Sequence, residues 1–117
     1  MKTVGLITSS LFALTLLLAC SPHPTAGEVV DRTAPVACEK AKQCNGDAKF
    51  ELAYPGGADD CVKRVKSESE KKLGSDLSKS SVCTDEEVDK CLEDLKNATC
   101  PDQKATELVM PAAPCNC

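Results

Sequence analysis

The sequence predicts an all-α fold, a small disulfide-stapled bundle of three to four short helices with an extended C-terminal strap. Three observations predict it. Apolar residues and cysteines recur at three- and four-residue spacing in several short segments, each bounded by capping residues, glycine or proline. Eight of the nine cysteines lie between Cys38 and Cys117. Large apolar side chains are scarce: from position 20 onward there are 17 Val, Leu, Phe, Tyr and Met residues, with no Ile and no Trp. So lean a core buries too little surface to offset chain entropy comfortably, and cross-links must make up the difference.

The first element is a leader, residues 1–19. Met1-Lys2-Thr3 provides a short basic start, and Val4 to Ala19 is apolar apart from Gly5, Thr8, Ser9, Ser10 and Thr15. A positive end, an apolar stretch and small residues before a cut form the three-part pattern of a secretory signal peptide. The stretch is shorter than the ~20 residues of a stable membrane span. Pro22 and Pro24 then end any helix.

Leu17-Leu18-Ala19-Cys20 closely resembles the lipobox of bacterial lipoproteins. The resemblance implies that the Cys20 thiol receives a diacylglyceryl group. Cleavage then falls between Ala19 and Cys20, and the new amine is acylated. Such chemistry needs a thiol as nucleophile and a small residue before it for peptidase access. Parity supports the reading, because nine cysteines leave one unpaired in an oxidising compartment and lipid on Cys20 leaves an even eight. Each buried methylene contributes ~0.8 kcal/mol, so two or three acyl chains hold a protein on a membrane durably. An aspartate at position 21 would have resembled an inner-membrane retention signal. Ser21 stands there, which favours the outer membrane where two membranes are present.

Residues 20–33 are read as the lipidated cysteine and a flexible polar tether, whose 13 residues from Ser21 to Thr33 span at most ~45 Å when extended. The cysteine-rich helical domain is assigned to 34–117. Its first helix is predicted over roughly 34–45, with Thr33 capping it, Pro35 tolerated in the first turn and Gly46 terminating it. Asp47 to Tyr54 gives a second, shorter helix stopped by Pro55-Gly56-Gly57. Phe50 and Tyr54, the only aromatics of the domain, are both expected to plug the core.

A third helix starts at Asp59 or a neighbour and carries Cys61, Val62 and Val65 before ending at Gly74. Ser75 to Val82 is polar and reads as loop. The fourth helix opens on the capping box Thr84-Asp85-Glu86-Glu87, and Val88, Cys91, Leu92 and Leu95 form one face before Asn97 ends it. The tail from Pro101 to Cys117 reads as a strap pinned by Cys115 and Cys117.

The disulfide candidates are Cys38, Cys44, Cys61, Cys83, Cys91, Cys100, Cys115 and Cys117. Eight cysteines allow on the order of a hundred pairings. Cys115–Cys117 would close a strained ring. Cys83 and Cys100 flank a helix about 18–20 Å long, too far apart for a bond. Cys44–Cys61 is favoured because it closes the short hairpin around Phe50 and Tyr54.

The run Cys38-x5-Cys44, Phe50-x3-Tyr54, Cys61, Cys83, Val88-x2-Cys91-Leu92-x2-Leu95 and Cys100 resembles small cysteine-rich lipoproteins of myxobacterial type. That resemblance implies a fold and a location and gives no activity.

Chemistry is poorly represented. No Cys-x-x-Cys pair exists, so a thiol–disulfide oxidoreductase is not expected. The only histidine, His23, falls in the tether as a solvated residue, which leaves the domain without a catalytic base or a zinc cluster. Asp59-Asp60 and Asp85-Glu86-Glu87 sit at helix starts, where carboxylates complement the macrodipole. Gly56-Gly57 is a turn and not a phosphate loop. Asn97-Ala98-Thr99 matches a glycosylation pattern that the lipobox makes irrelevant. With 14 basic against 18 acidic residues, and a net charge that moves from −4 to −5 when Lys2 leaves with the leader, no nucleic-acid surface is expected.

The expectation is therefore a non-enzymatic lipoprotein, exported and lipid-anchored to the bacterial cell envelope. It has no cofactor or metal, and it partners the membrane through the lipid on Cys20. It would act by binding or as a structural module. The alternatives are a small disulfide-rich protease inhibitor or toxin-like effector, presenting Pro55–Ala58 or Ser75–Val82, and a saposin-like lipid binder. The narrow apolar stripes count against the last.

Overall fold

The computed structural model describes residues 23–102, 108–110 and 117. The leader, the lipobox residues Ala19 and Cys20, and Cys115 lie outside the described residues. Four α-helices follow one another: α1 (Ala26–Asn45), α2 (Asp47–Ala53), α3 (Ala58–Leu73) and α4 (Asp85–Asn97), with a 3₁₀ turn at Gly74–Ser78 between the last two. Among the described residues the only β pairing is an isolated antiparallel bridge between Thr25 and Ser80. The fold is all-α and disulfide-stapled.

α1 begins eight residues before the position expected from the sequence. Its N-cap is Thr25 and not Thr33: the Glu28 amide donates to Thr25 Oγ1 (3.2 Å), and the Thr25 amide donates to Glu28 Oε2 (2.7 Å). These are the reciprocal bonds of a capping box. Much of the tether is therefore helix. Pro35 lies in mid-helix, where it removes one backbone donor. Burial of Val29, Ala34 and Ala37 along the same face offsets that loss. Thr33 instead turns its hydroxyl back to the Val29 carbonyl (2.6 Å). Gly46 does end the helix, in a positive-φ conformation (83°) that favours glycine and lets α2 leave directly.

α1 is the hub against which α2, α3, α4 and the 3₁₀ turn all pack. Cross-links and ion pairs fix the helix directions. Cys38–Cys61 and Asp31–Lys66 (2.9 Å) join α1 to α3 with numbers falling on one helix as they rise on the other, so α3 is antiparallel to α1. Arg32 meets Asp85 (2.9 Å) and Asp89, Lys40 reaches the Lys96 carbonyl (2.9 Å), and Cys44 bonds Cys100. Numbers rise together in that series, and α4 runs parallel to α1. Lys40 is largely buried and places its charge at the C-terminal carbonyls of α4, where the helix dipole favours a cation.

Two small hydrophobic zones result. Phe50, Cys38, Ala41 and Cys61 are fully buried together, with Tyr54, Val62, Val65 and Leu108 packed around them. Val88, Cys91 and Leu95 bury one face of α4, as its 3.6-residue periodicity requires. Both bonds of the Thr84 capping box are present. Tyr54 does not enter the core as fully as Phe50. It is half-buried at the margin, its ring 5.1 Å from that of Phe50 and its other side covered by the Arg64 guanidinium at 5.4 Å.

The cysteine pairing corrects the expectation of a Cys44–Cys61 bond. Cys38 bonds Cys61, Cys44 bonds Cys100 and Cys83 bonds Cys117. Geometry explains the difference. α2 doubles back along α1, so α3 starts beside the middle of α1, roughly 9 Å short of the level of Cys44 at 1.5 Å per residue. Cys44 sits in the last turn of α1 and meets the chain leaving α4. The two rejected pairs, Cys83–Cys100 and Cys115–Cys117, are not formed. Cys91 is also disulfide-bonded.

Candidate functional site

The N-terminal half of α1 and the C-terminal half of α3 diverge enough to leave an apolar groove of about 500 Å³. α1 contributes Val29, Val30, Ala34 and Ala37 at helical spacing, and α3 contributes Val65 and Leu73. Small residues on α1 open the groove, because alanine side chains cannot fill the space between two helices. Met110 and Cys117 of the strap also line it. Among the described lining residues Lys72 is the only charged one.

The end of the molecule where α1 begins is closed by a seam that sequence reasoning missed. The Ala26 amide donates to the Lys79 carbonyl (2.9 Å), and the Ser81 amide donates to the Pro24 carbonyl (2.8 Å). His23 Nδ1 lies 3.1 Å from the Ser81 carbonyl, and Pro24 is buried. Gly27 faces Leu77, and a β-carbon there would stand 3.1 Å from the Leu77 carbonyl oxygen, so the close approach of the 3₁₀ turn suits a residue without a side chain. His23 is thus exposed but tied down, and it is no free linker residue. Ser75–Val82 is likewise not a simple loop, since it holds most of the 3₁₀ turn and then Ser80, the bridge partner of Thr25.

The strap is held by the Cys83–Cys117 disulfide, by packing of Leu108 against the core, and at Val109 by Asn45. Asn45 is buried, and its side-chain amide donates to the Val109 carbonyl (2.9 Å) and the Ala41 carbonyl (2.7 Å), while its oxygen accepts from the Val109 amide (3.1 Å). An asparagine side chain here imitates the two-bond pairing of a neighbouring strand. The Tyr54 hydroxyl lies 3.8 Å from Met110 Sδ on the same stretch.

Another recess lies between His23, Glu28, Asp31, Arg32 and Asp85. It brings the sole histidine near carboxylates, but Arg32 is committed to Asp85 and Asp89. Among the described residues no group of three or more His, Cys, Asp and Glu side chains is placed to hold a metal ion. The acidic clusters Asp59-Asp60 and Asp85-Glu86-Glu87 occupy the first turns of α3 and α4, as their helix-start positions predict. No described helix is long and apolar enough to cross a membrane.

Fold and site together define a small all-α, disulfide-stapled domain with an apolar groove and a pinned seam at the start of α1. No protein-family model, curated protein or solved structure matches this chain.

Proposed function

We propose that the protein is an exported, non-enzymatic lipoprotein of the bacterial cell envelope, anchored through acyl chains on Cys20 and acting as a binding or structural module. The observation that carries this reading is the cysteine count set against the lipobox-like Leu17-Leu18-Ala19-Cys20. All seven described cysteines are disulfide-bonded, six of them to one another. The reading pairs Cys91 with Cys115 and leaves Cys20 as the odd thiol, the one that follows the apolar leader. Three described disulfides suit an oxidising compartment outside the cytoplasm. The resemblance to small cysteine-rich lipoproteins of myxobacterial type points the same way.

Metabolic labelling tests it. In a bacterial host with the lipoprotein-processing pathway, radioactive palmitate is expected to enter the wild-type protein and to be absent from Cys20→Ala. The wild type should sediment with membranes. Label in both proteins or in neither contradicts the anchor.

A further inference from the structure

We propose that the Leu73–Val82 end of the domain is a membrane-facing surface, seated directly on the lipid layer that holds the anchor. This rests on the proposed acylation of Cys20, and it follows from where the seam fixes the chain. The seam ties the His23 side chain and the backbone from Pro24 onward to Lys79, Ser80 and Ser81. Between Cys20 and His23 the chain reaches only about 10 Å at ~3.4 Å per residue, against ~45 Å for the tether read from the sequence. A body some 30 Å long, the length of the 20-residue α1 at ~1.5 Å per residue, cannot stand clear of the bilayer on so short a link.

The surface beside that link carries two exposed apolar side chains. Val82 follows the seam directly and is 75% exposed, and Leu73 is 38% exposed at the end of α3. Lys72 and Lys79 are at the same end, Lys79 paired with Asp76, and such amphipathic side chains place their charge at the headgroup level. The first turn of α4 adds Asp85, Glu86 and Glu87 close by, so net charge does not drive the contact. The acyl chains supply the affinity, and the apolar residues set the orientation. The opposite end, where α1 passes into α2, then points away from the membrane and carries the exposed Leu52 (85%).

The absence of native tryptophan makes the test direct. Val82→Trp and Leu52→Trp would each be purified as the acylated protein and placed in phosphatidylcholine vesicles containing a brominated acyl-chain species. Val82→Trp is expected to lose emission by about twofold or more with a blue shift, as a ring in the interface does, while Leu52→Trp is unchanged. Leu73→Trp serves as a second reporter should Val82→Trp fold poorly. An acylated protein quenched equally at both ends, or at neither, overturns the orientation while leaving the anchor standing. A protein that takes no palmitate overturns both.

Discussion

Reducing the disulfides is expected to abolish the cooperative unfolding transition and most of the helical circular dichroism of the domain. The largest fully buried side chains are Phe50, Leu95, Val88, Cys38 and Cys61, and two of these five are one disulfide. The three described bridges span 23, 56 and 34 residues. In the chain-entropy account, loops of those lengths correspond to about 3.5–4.2 kcal/mol each. Together they are comparable to the ~5–15 kcal/mol stability of an ordinary small domain. Thermal melts followed at 222 nm with and without dithiothreitol check this. A reduced protein melting within a few degrees of the oxidised one would show that the helices stand without their staples.

Phe50→Ala is expected to destabilise the oxidised protein by about 3–5 kcal/mol, the range for emptying a buried phenylalanine site. Phe50 is fully buried against Cys38, Ala41 and Cys61 and touches the Tyr54 ring. Its neighbours are covalently tied, so the site collapses poorly and the cavity persists. Leu52→Ala, two residues away on an 85% exposed position, should change stability by no more than ~0.5 kcal/mol. Urea titration of both variants measures the contrast. Similar losses at the two positions would place α2 the other way round.

α4 is the element most legible in the sequence, because Thr84 and Glu87 announce its start and Val88, Cys91 and Leu95 repeat on one face. The same Thr-x-x-Glu signature at Thr25 and Glu28 opens α1, but Gly27 and Pro35 obscure it. Propensity alone disfavours a helix across both residues. Tertiary contacts override it: Leu77 needs the space at Gly27, and Val29 and Ala34 need burial. Disulfide partners were not readable because they depend on helix direction. Only the doubling back of α2 sets Cys38, and not Cys44, opposite Cys61. The seam of His23–Ala26 with Lys79–Ser81 joins backbone groups more than fifty residues apart, and no side-chain pattern marks such a contact.

These corrections shorten the link between the proposed anchor at Cys20 and the domain. A tether expected to hold the domain at a distance is largely the first turns of α1, and the chain is fixed within three residues of Cys20. The groove between α1 and α3 opens at that same end, with Ala26 and Leu73 among its lining residues.

The proposed function depends on the chemistry of the Cys20 thiol, and intact-mass analysis of the protein purified from a bacterial host with the lipoprotein-processing pathway reads it directly. The mass should be that of a chain beginning at Cys20 plus a diacylglyceryl group and an N-linked acyl chain. Reduction should add two hydrogens for each of four disulfides, because the seven described cysteines and Cys115 form that set in this account. A chain that begins elsewhere, or one that begins at Cys20 without lipid, contradicts it.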